Sequence, residues 1–308
     1  MNVVRFKQAT ATQYIRRLRG GSQPIMASAG DGYLYIVKFA SNPQGPNVLF
    51  NEAIGSALFN AFALPTPTWN PILLTDDFID RNVACWVAGL TPDSQKTDHR
   101  TRPQGGLCFG SRYLGGGGKR LLEILPGTSF NRIQRREDFW LAWLVDICAG
   151  HSDHRQAVFQ EEPSGRLRAF FVDHGNLFRG PHGDSWPNFA SSRYLDSRIY
   201  PDISSEQLSA LQENVRKADT DQLWRSVEAL PESWKTESAL AALSQCVDRL
   251  SNREFVRYTL HEMVSFHERS NACDEVSKLR VLYPGVQRQR DRSSLVPKSS
   301  DHIGAQAG

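Results

Sequence analysis

The sequence predicts an α+β chain of two lobes, rich in strands at the front and mainly helical behind, and three observations carry that prediction. Strand-forming segments gather before residue 90, from Ile25-Met26-Ala27 to Val83-Ala84-Cys85-Trp86-Val87. One apolar-striped stretch over 47–63 interrupts them. From Ser205 to about Arg269 the apolar residues recur at helical spacing instead, Leu208, Leu211 and Val215 first, then Leu240, Leu243, Val247 and Leu250. A chain of 308 residues can bury a sizeable core in such an arrangement. The lobes are drawn at 1–105 and 106–270. The remainder, 271–308, is basic and poor in apolar residues beyond Pro284, and is expected to be disordered.

Each element has its own signal. Residues 23–40 predict a hairpin, because Gly30-Asp31-Gly32 is a tight-turn sequence and Tyr33 to Phe39 is rich in strand formers. A helix is predicted from about Asn47 to Ala63, with Phe50, Ile54, Leu58 and Phe62 on one face. Leu64-Pro65-Thr66-Pro67 stops it, since proline cannot continue the hydrogen-bond ladder. Strands follow at Pro71–Leu74 and Val83–Val87, then a polar loop from Pro92 to Gly106. The run Gly115-Gly116-Gly117-Gly118-Lys119 predicts a flexible linker; Arg120 stands where a Walker phosphate loop needs Ser or Thr. Residues 134–149 predict a central helix, with Phe139, Trp140, Trp143, Leu144 and Ile147 as core. A polar turn, His151 to Gln156, leads to strands at Ala157–Phe159 and Leu167–Val172, the second ending in Asp173-His174-Gly175. Pro231 divides the helical remainder.

Composition excludes several classes. The net charge of +3 is too small to argue for a nucleic-acid or anionic-membrane partner. No apolar run reaches the ~18 residues of a membrane span, and Met1–Lys7 does not have the order of a secretory signal. Five scattered cysteines without a CxxC pair predict buried, reduced thiols in a cytoplasmic protein.

One ordered set of polar residues carries chemistry. Phosphoryl transfer needs a cation on the phosphates, a carboxylate holding that cation, oxygen ligands for Mg²⁺ and a carboxylate to orient the acceptor hydroxyl. The chain supplies, in order, a glycine turn, a strand ending in Lys38, Glu52 in the next helix, an Asp-containing turn, and Asp173 after two short strands. Gly32-Tyr33-Leu34-Tyr35-Ile36-Val37-Lys38-Phe39, Leu49-Phe50-Asn51-Glu52-Ala53-Ile54 and Leu64-Pro65-Thr66-Pro67 resemble the N-terminal lobe of the HipA-like kinases. Asp153 to Phe159 and Phe171 to Phe178 resemble the catalytic and metal-binding segments of a HipA-related subgroup, and similar segments occur in phosphatidylinositol-kinase-like enzymes.

That resemblance implies a bilobal protein-kinase-like fold, with ATP and Mg²⁺ as cofactors and a protein Ser/Thr hydroxyl as acceptor. It implies that Lys38 contacts the phosphates and pairs with Glu52, that backbone amides of Gly30, Asp31 and Gly32 cover them, that Asp153 is the catalytic carboxylate, and that Asp173 binds the metal. His174-Gly175 stands where many kinases have Phe-Gly. The sequence departs from the pattern at Val158, where many kinases carry a metal-binding Asn five residues after the catalytic Asp. Gln156 is then the candidate ligand, on a loop two residues shorter; the other alignment places His151 at the catalytic position. The departure leaves an ATP-binding pseudokinase or interaction module as an alternative. Another is a metallohydrolase built from His151, Asp153, His154, Asp173 and His174. Arg155 is expected to pair locally with Asp153.

Overall fold

The computed structural model describes residues 7–88, 100–184 and 189–282. The chain divides into two units, Met1–Met263 and Val264–Gly308. Within the first, β1 (Ala9–Arg17), β2 (Ile25–Ala29) and β3 (Leu34–Lys38) form an antiparallel meander. After α1 (Val48–Ala61) come β4 (Trp69–Leu74), α2 (Asp76–Arg81), the short strands β5 (Val87–Ala88) and β6 (Arg100–Thr101), and β7 (Gly106–Arg112). The order β1-β2-β3-β7-β4 closes on itself through a parallel β1–β4 contact. Alternation explains the closure. Tyr35, Val37 and Phe39 point into the barrel with Ile25, Ala27, Ile72 and Cys108, leaving Ile36 and Lys38 on the opposite face.

The helical region begins beyond β7. A turn containing Gly116–Gly118 leads to β8 (Leu121–Leu122), then α3 (Asp138–Ala149), β9 (Gln156–Glu161) and β10 (Leu167–Val172), with sheet order β10-β9-β8. Helices α4 (Ser205–Lys217), α5 (Asp221–Glu228), α6 (Glu237–Ser251) and α7 (Arg253–Leu282) follow. Helix α3 packs on α6 and α1 on α5. Trp140, Trp143, Phe139, Phe171 and Tyr200 make the aromatic core around α3, with the Phe139 and Phe171 rings 5.1 Å apart.

A strand-rich first region and a helical second one are therefore what the chain forms. Four expectations change. Strand β1 went unpredicted. Strand β7, on the far side of the boundary expected at 105, belongs to the first sheet. Val83–Cys85 is a single 3₁₀ turn before the two-residue strand β5. Helix α7 continues to Leu282, so the tail expected to be disordered from 271 is helical at its start; residues 283–308 lie outside the described ones. Cys85, Cys108, Cys148 and Cys246 are buried free thiols. Among the described residues no helix is long and apolar enough to cross a membrane.

Candidate active site

A cleft of about 540 Å³ opens between the first barrel and the β8–β10 sheet. That volume is in the range of small-molecule sites. Met26, Ile36 and Phe109 line it from the barrel, and Val158 and Phe171 from the second sheet. Lys38, Glu52, Gln156 and Asp173 stand together at one end. A larger hollow of about 670 Å³ between α4, α6 and the start of α7 contains none of these groups.

Lys38 ends β3 on the cleft face, and its ammonium is buried between two carboxylates. It bonds Glu52 Oε1 at short range and lies 2.6 Å from Asp173 Oδ1. Burial by itself depresses an ammonium, but Asp173 and Glu52 outweigh it and hold the Lys38 pKa above its ordinary value. Burial likewise works against the Asp173 carboxylate, and the Lys38 charge overcomes it and holds the group below the usual range. Burial pushes Glu52 up against the pull of Lys38.

Helix α1 supplies Glu52 because it is buried on nearly every side, not only along the expected apolar stripe. Glu52 Oε1 also accepts the Gly175 N–H at 2.8 Å. Its neighbour Asn51 donates from Nδ2 to the carbonyls of Gly175, Leu177 and Gly180 at 2.8–3.1 Å. A Cβ at Gly55 would come within 2.6 Å of His174 Cβ and Leu177 Cδ1, so only glycine lets α1 lie this close.

The antiparallel register sets the other end of the site. Gln156 opposes Val172, and the Gln156 amide donates from Nε2 to Asp173 Oδ2 at 2.8 Å. The Asp173 carboxylate next to the cleft is a hard-oxygen ligand suited to Mg²⁺, an ion that takes few protein ligands and completes its shell with phosphates and water, and Gln156 could add its amide oxygen only by turning the amide that now donates from Nε2. Asp153 is exposed, accepting the His154 N–H of its own loop at 2.7 Å and the Asn176 amide of the segment after β10 at 3.4 Å. It does not line the cleft.

Gly30, Asp31 and Gly32 sit at the other end of the β2–β3 hairpin from Lys38, about 15–20 Å along the strand. None of the three lines the cleft, and Asp31 is engaged by the Tyr35 hydroxyl and the Tyr33 N–H. The segment that faces Lys38 is the β1–β2 loop, with Leu18, Arg19, Gly20, Ser22 and Pro24 all lining the cleft. Gly20 there has φ 130°. The adjacent glycines Gly20-Gly21 were its sequence signal, hidden because β1 itself went unrecognised. The run Gly115–Gly118 lines no part of the cleft.

His151 is fully buried away from the cleft, His174 is buried at its wall, and Asp153 and His154 face outward. The five residues expected for a metallohydrolase therefore do not converge, and among the described residues no three His, Cys, Asp or Glu side chains group as a metal set. Burial also rules out His151 as the group touching an acceptor. Among the described residues neither His151 ring nitrogen has a hydrogen-bond partner; burial first, then Arg155, His174 and His154, holds it neutral well below 6.5, although Asp146 Oδ1 lies 3.6 Å away. The unfolded chain then binds a proton that the folded one does not. Stability should fall as pH drops below 6.5, at up to about 1.4 kcal/mol per pH unit for this group. Urea unfolding of wild type and His151→Leu at pH 7 and pH 5 should show a smaller acid loss in the variant; equal losses would contradict a buried neutral imidazole.

No family model matches the chain, and no curated protein matches it in sequence. Solved structures do. The Helicobacter pylori proinflammatory kinase CtkA superposes with a TM-score of 0.52 and 12% identity, covering 84% of this chain and 99% of that one. The fold is that of a protein kinase. A structure of the Golgi casein kinase with Mn/ADP bound aligns at a TM-score of 0.44 and 11% identity, over 85% of this chain and 75% of that one, too loosely to add to the argument.

Proposed function

We propose that the chain is an ATP- and Mg²⁺-dependent phosphotransferase of the HipA-like type, transferring the γ-phosphoryl group to a Ser or Thr hydroxyl of a protein. The observation that carries this reading is the Lys38 ammonium held between Glu52 and Asp173, with Gln156 beside Asp173 at the end of an apolar-lined cleft. Lys38 would hold the α- and β-phosphates, and Glu52 would keep it aimed. Asp173 and Gln156 would hold the metal, which supplies neutralising charge to the phosphates when bound. Met26 and Ile36 above and Val158 below offer apolar surface suited to a purine. The phosphate cover falls to the β1–β2 loop around Gly20-Gly21, whose small residues permit close backbone approach. Asp153 would accept the acceptor's proton as the new O–P bond forms and ADP departs.

Asp173→Asn provides the test. Wild type should gain thermal stability on ATP, and more with Mg²⁺, approaching about 2.7 kcal/mol at a hundredfold excess over Kd. Asp173→Asn should keep the response to ATP alone and lose the Mg²⁺ increment. No response in wild type would end the reading. A nucleotide-binding pseudokinase is the second reading, favoured by Asp153 lying outside the cleft with its carboxylate already bonded by His154 and Asn176. ATP turnover by wild type that Asp153→Asn abolishes would remove it.

A further inference from the structure

We infer that Arg155, clamped by Asp146, is the positioning residue that sets Asp173 for a divalent cation, an inference that rests on the nucleotide-and-metal reading above. Asp173 has φ 60°, in the left-handed region that Asp enters more readily than most residues, and contacts on both sides fix it there. On the far side of Asp173, Gly175 is gripped by Glu52 and Asn51 of α1. On the near side, Arg155 Nη1 donates to Val172 O at 2.9 Å, one residue before the aspartate.

The same guanidinium reaches the residues on either side of Asp173 in the chain. It is 2% exposed, and its Nε donates to Asp146 Oδ2 at 2.8 Å while Nη2 bonds Asp146 Oδ1. Nη1 lies 3.3 Å from His174 Nδ1, and the guanidinium carbon stands 4.7 Å from the centre of the Phe59 ring on α1. His174 packs on Phe59 as well, ring centres 4.6 Å apart. One buried cation thus touches the residue before Asp173, the residue after it, and the helix that carries Glu52. Arg155 does not pair with Asp153 as its position in sequence suggested.

Stability is a poor explanation for this pair. A buried Arg–Asp pair contributes little that an apolar pair of equal volume would not. What Arg adds is a rigid planar fork that fixes the Val172 carbonyl and the His174 ring together, which a lysine cannot reproduce. The His174 ring presents Nδ1 to that fork, and a Phe at its position would present no polar atom.

Arg155→Lys keeps the charge and removes the fork. Binding of a fluorescent ATP analogue should be measured without metal and across Mg²⁺ and Mn²⁺ titrations. The metal-free affinity should stay close to wild type while the metal concentration for half-maximal effect rises about 10–100-fold, the usual cost of losing a residue that orients a metal ligand. The double variant Arg155→Met/Asp146→Leu removes both charges together; it should retain the wild-type melting temperature and still show the raised metal requirement, and it carries the test if Arg155→Lys does not fold. A wild-type metal response in the double variant, or a parallel loss of metal-free and metal-dependent binding in Arg155→Lys, would make Arg155 a structural residue only. If the wild-type chain binds no nucleotide with or without metal, the phosphotransferase reading and this inference fall together.

Discussion

Lys38→Met should abolish ATP-dependent stabilisation and leave the unliganded protein about 3–5 kcal/mol less stable, the cost expected when one partner of a buried ion pair is removed. The two effects have different origins. Loss of binding follows from losing the only cation that the structure places within hydrogen-bonding reach of both Glu52 and Asp173 among the described residues. Loss of stability follows from Glu52, buried in α1 and left with the Gly175 N–H at its Oε1. The pairing of Lys38→Met with Glu52→Gln separates them. The double variant should recover most of the stability, because the buried Glu52 charge is gone and the Asp173 carboxylate that remains is partly exposed and bonded by Gln156, and none of the ATP response. Urea midpoints and ATP thermal shifts measure both. An ATP response surviving in Lys38→Met would remove the ion pair from the site.

Gly55→Ala tests how closely α1 must approach. Alanine is favoured over glycine inside a helix by about 1 kcal/mol, so propensity alone predicts a stabilised protein. The added Cβ would meet His174 Cβ at 2.6 Å, and that atom is tied to the backbone beside Asp173 and cannot swing aside. Overpacking of this kind costs about 1–3 kcal/mol, and relief requires α1 to move off the Asp173–Leu177 segment. Because Glu52 is one turn before Gly55, that movement stretches the Glu52–Lys38 and Glu52–Gly175 bonds. The expected result is a lower melting temperature together with an ATP affinity at least about tenfold weaker, since 1.4 kcal/mol of misalignment already accounts for that. A more stable variant with unchanged affinity would show that α1 tolerates the displacement.

The parts of the site that were legible in sequence are those in which residue type and local spacing carry the information. Lys38 stood out as a cation in a run of strand formers, Glu52 as an acid within an apolar helix, and Asp173 as an acid directly after an apolar strand. Gln156 could be ranked only as a candidate, because its relevance depends on the β9–β10 register that sets it opposite Val172. The turn at Gly30-Asp31-Gly32 forms the hairpin its residues predict but lies at the end of it away from Lys38, since a turn sequence does not say which end of a strand faces a cleft. Arg155 illustrates the same gap: Asp153 is two residues away in sequence, yet Asp146, nine residues back on α3, is its partner.

The sequence by itself determined the elements and their polarity: a strand that alternates Tyr35, Val37 and Phe39 inward must send Lys38 outward, and a helix with Glu52 among apolar neighbours must bury it or be destabilised. Tertiary structure alone decided which of these groups meet. Lys38 lies 135 residues from Asp173, Glu52 lies 123 from Gly175, and the Cβ-free surface of Gly55 matters only because His174 packs against it. Such contacts arise from barrel closure, strand register and helix approach, quantities set by the packing of the whole lobe and carried by no short stretch of residues.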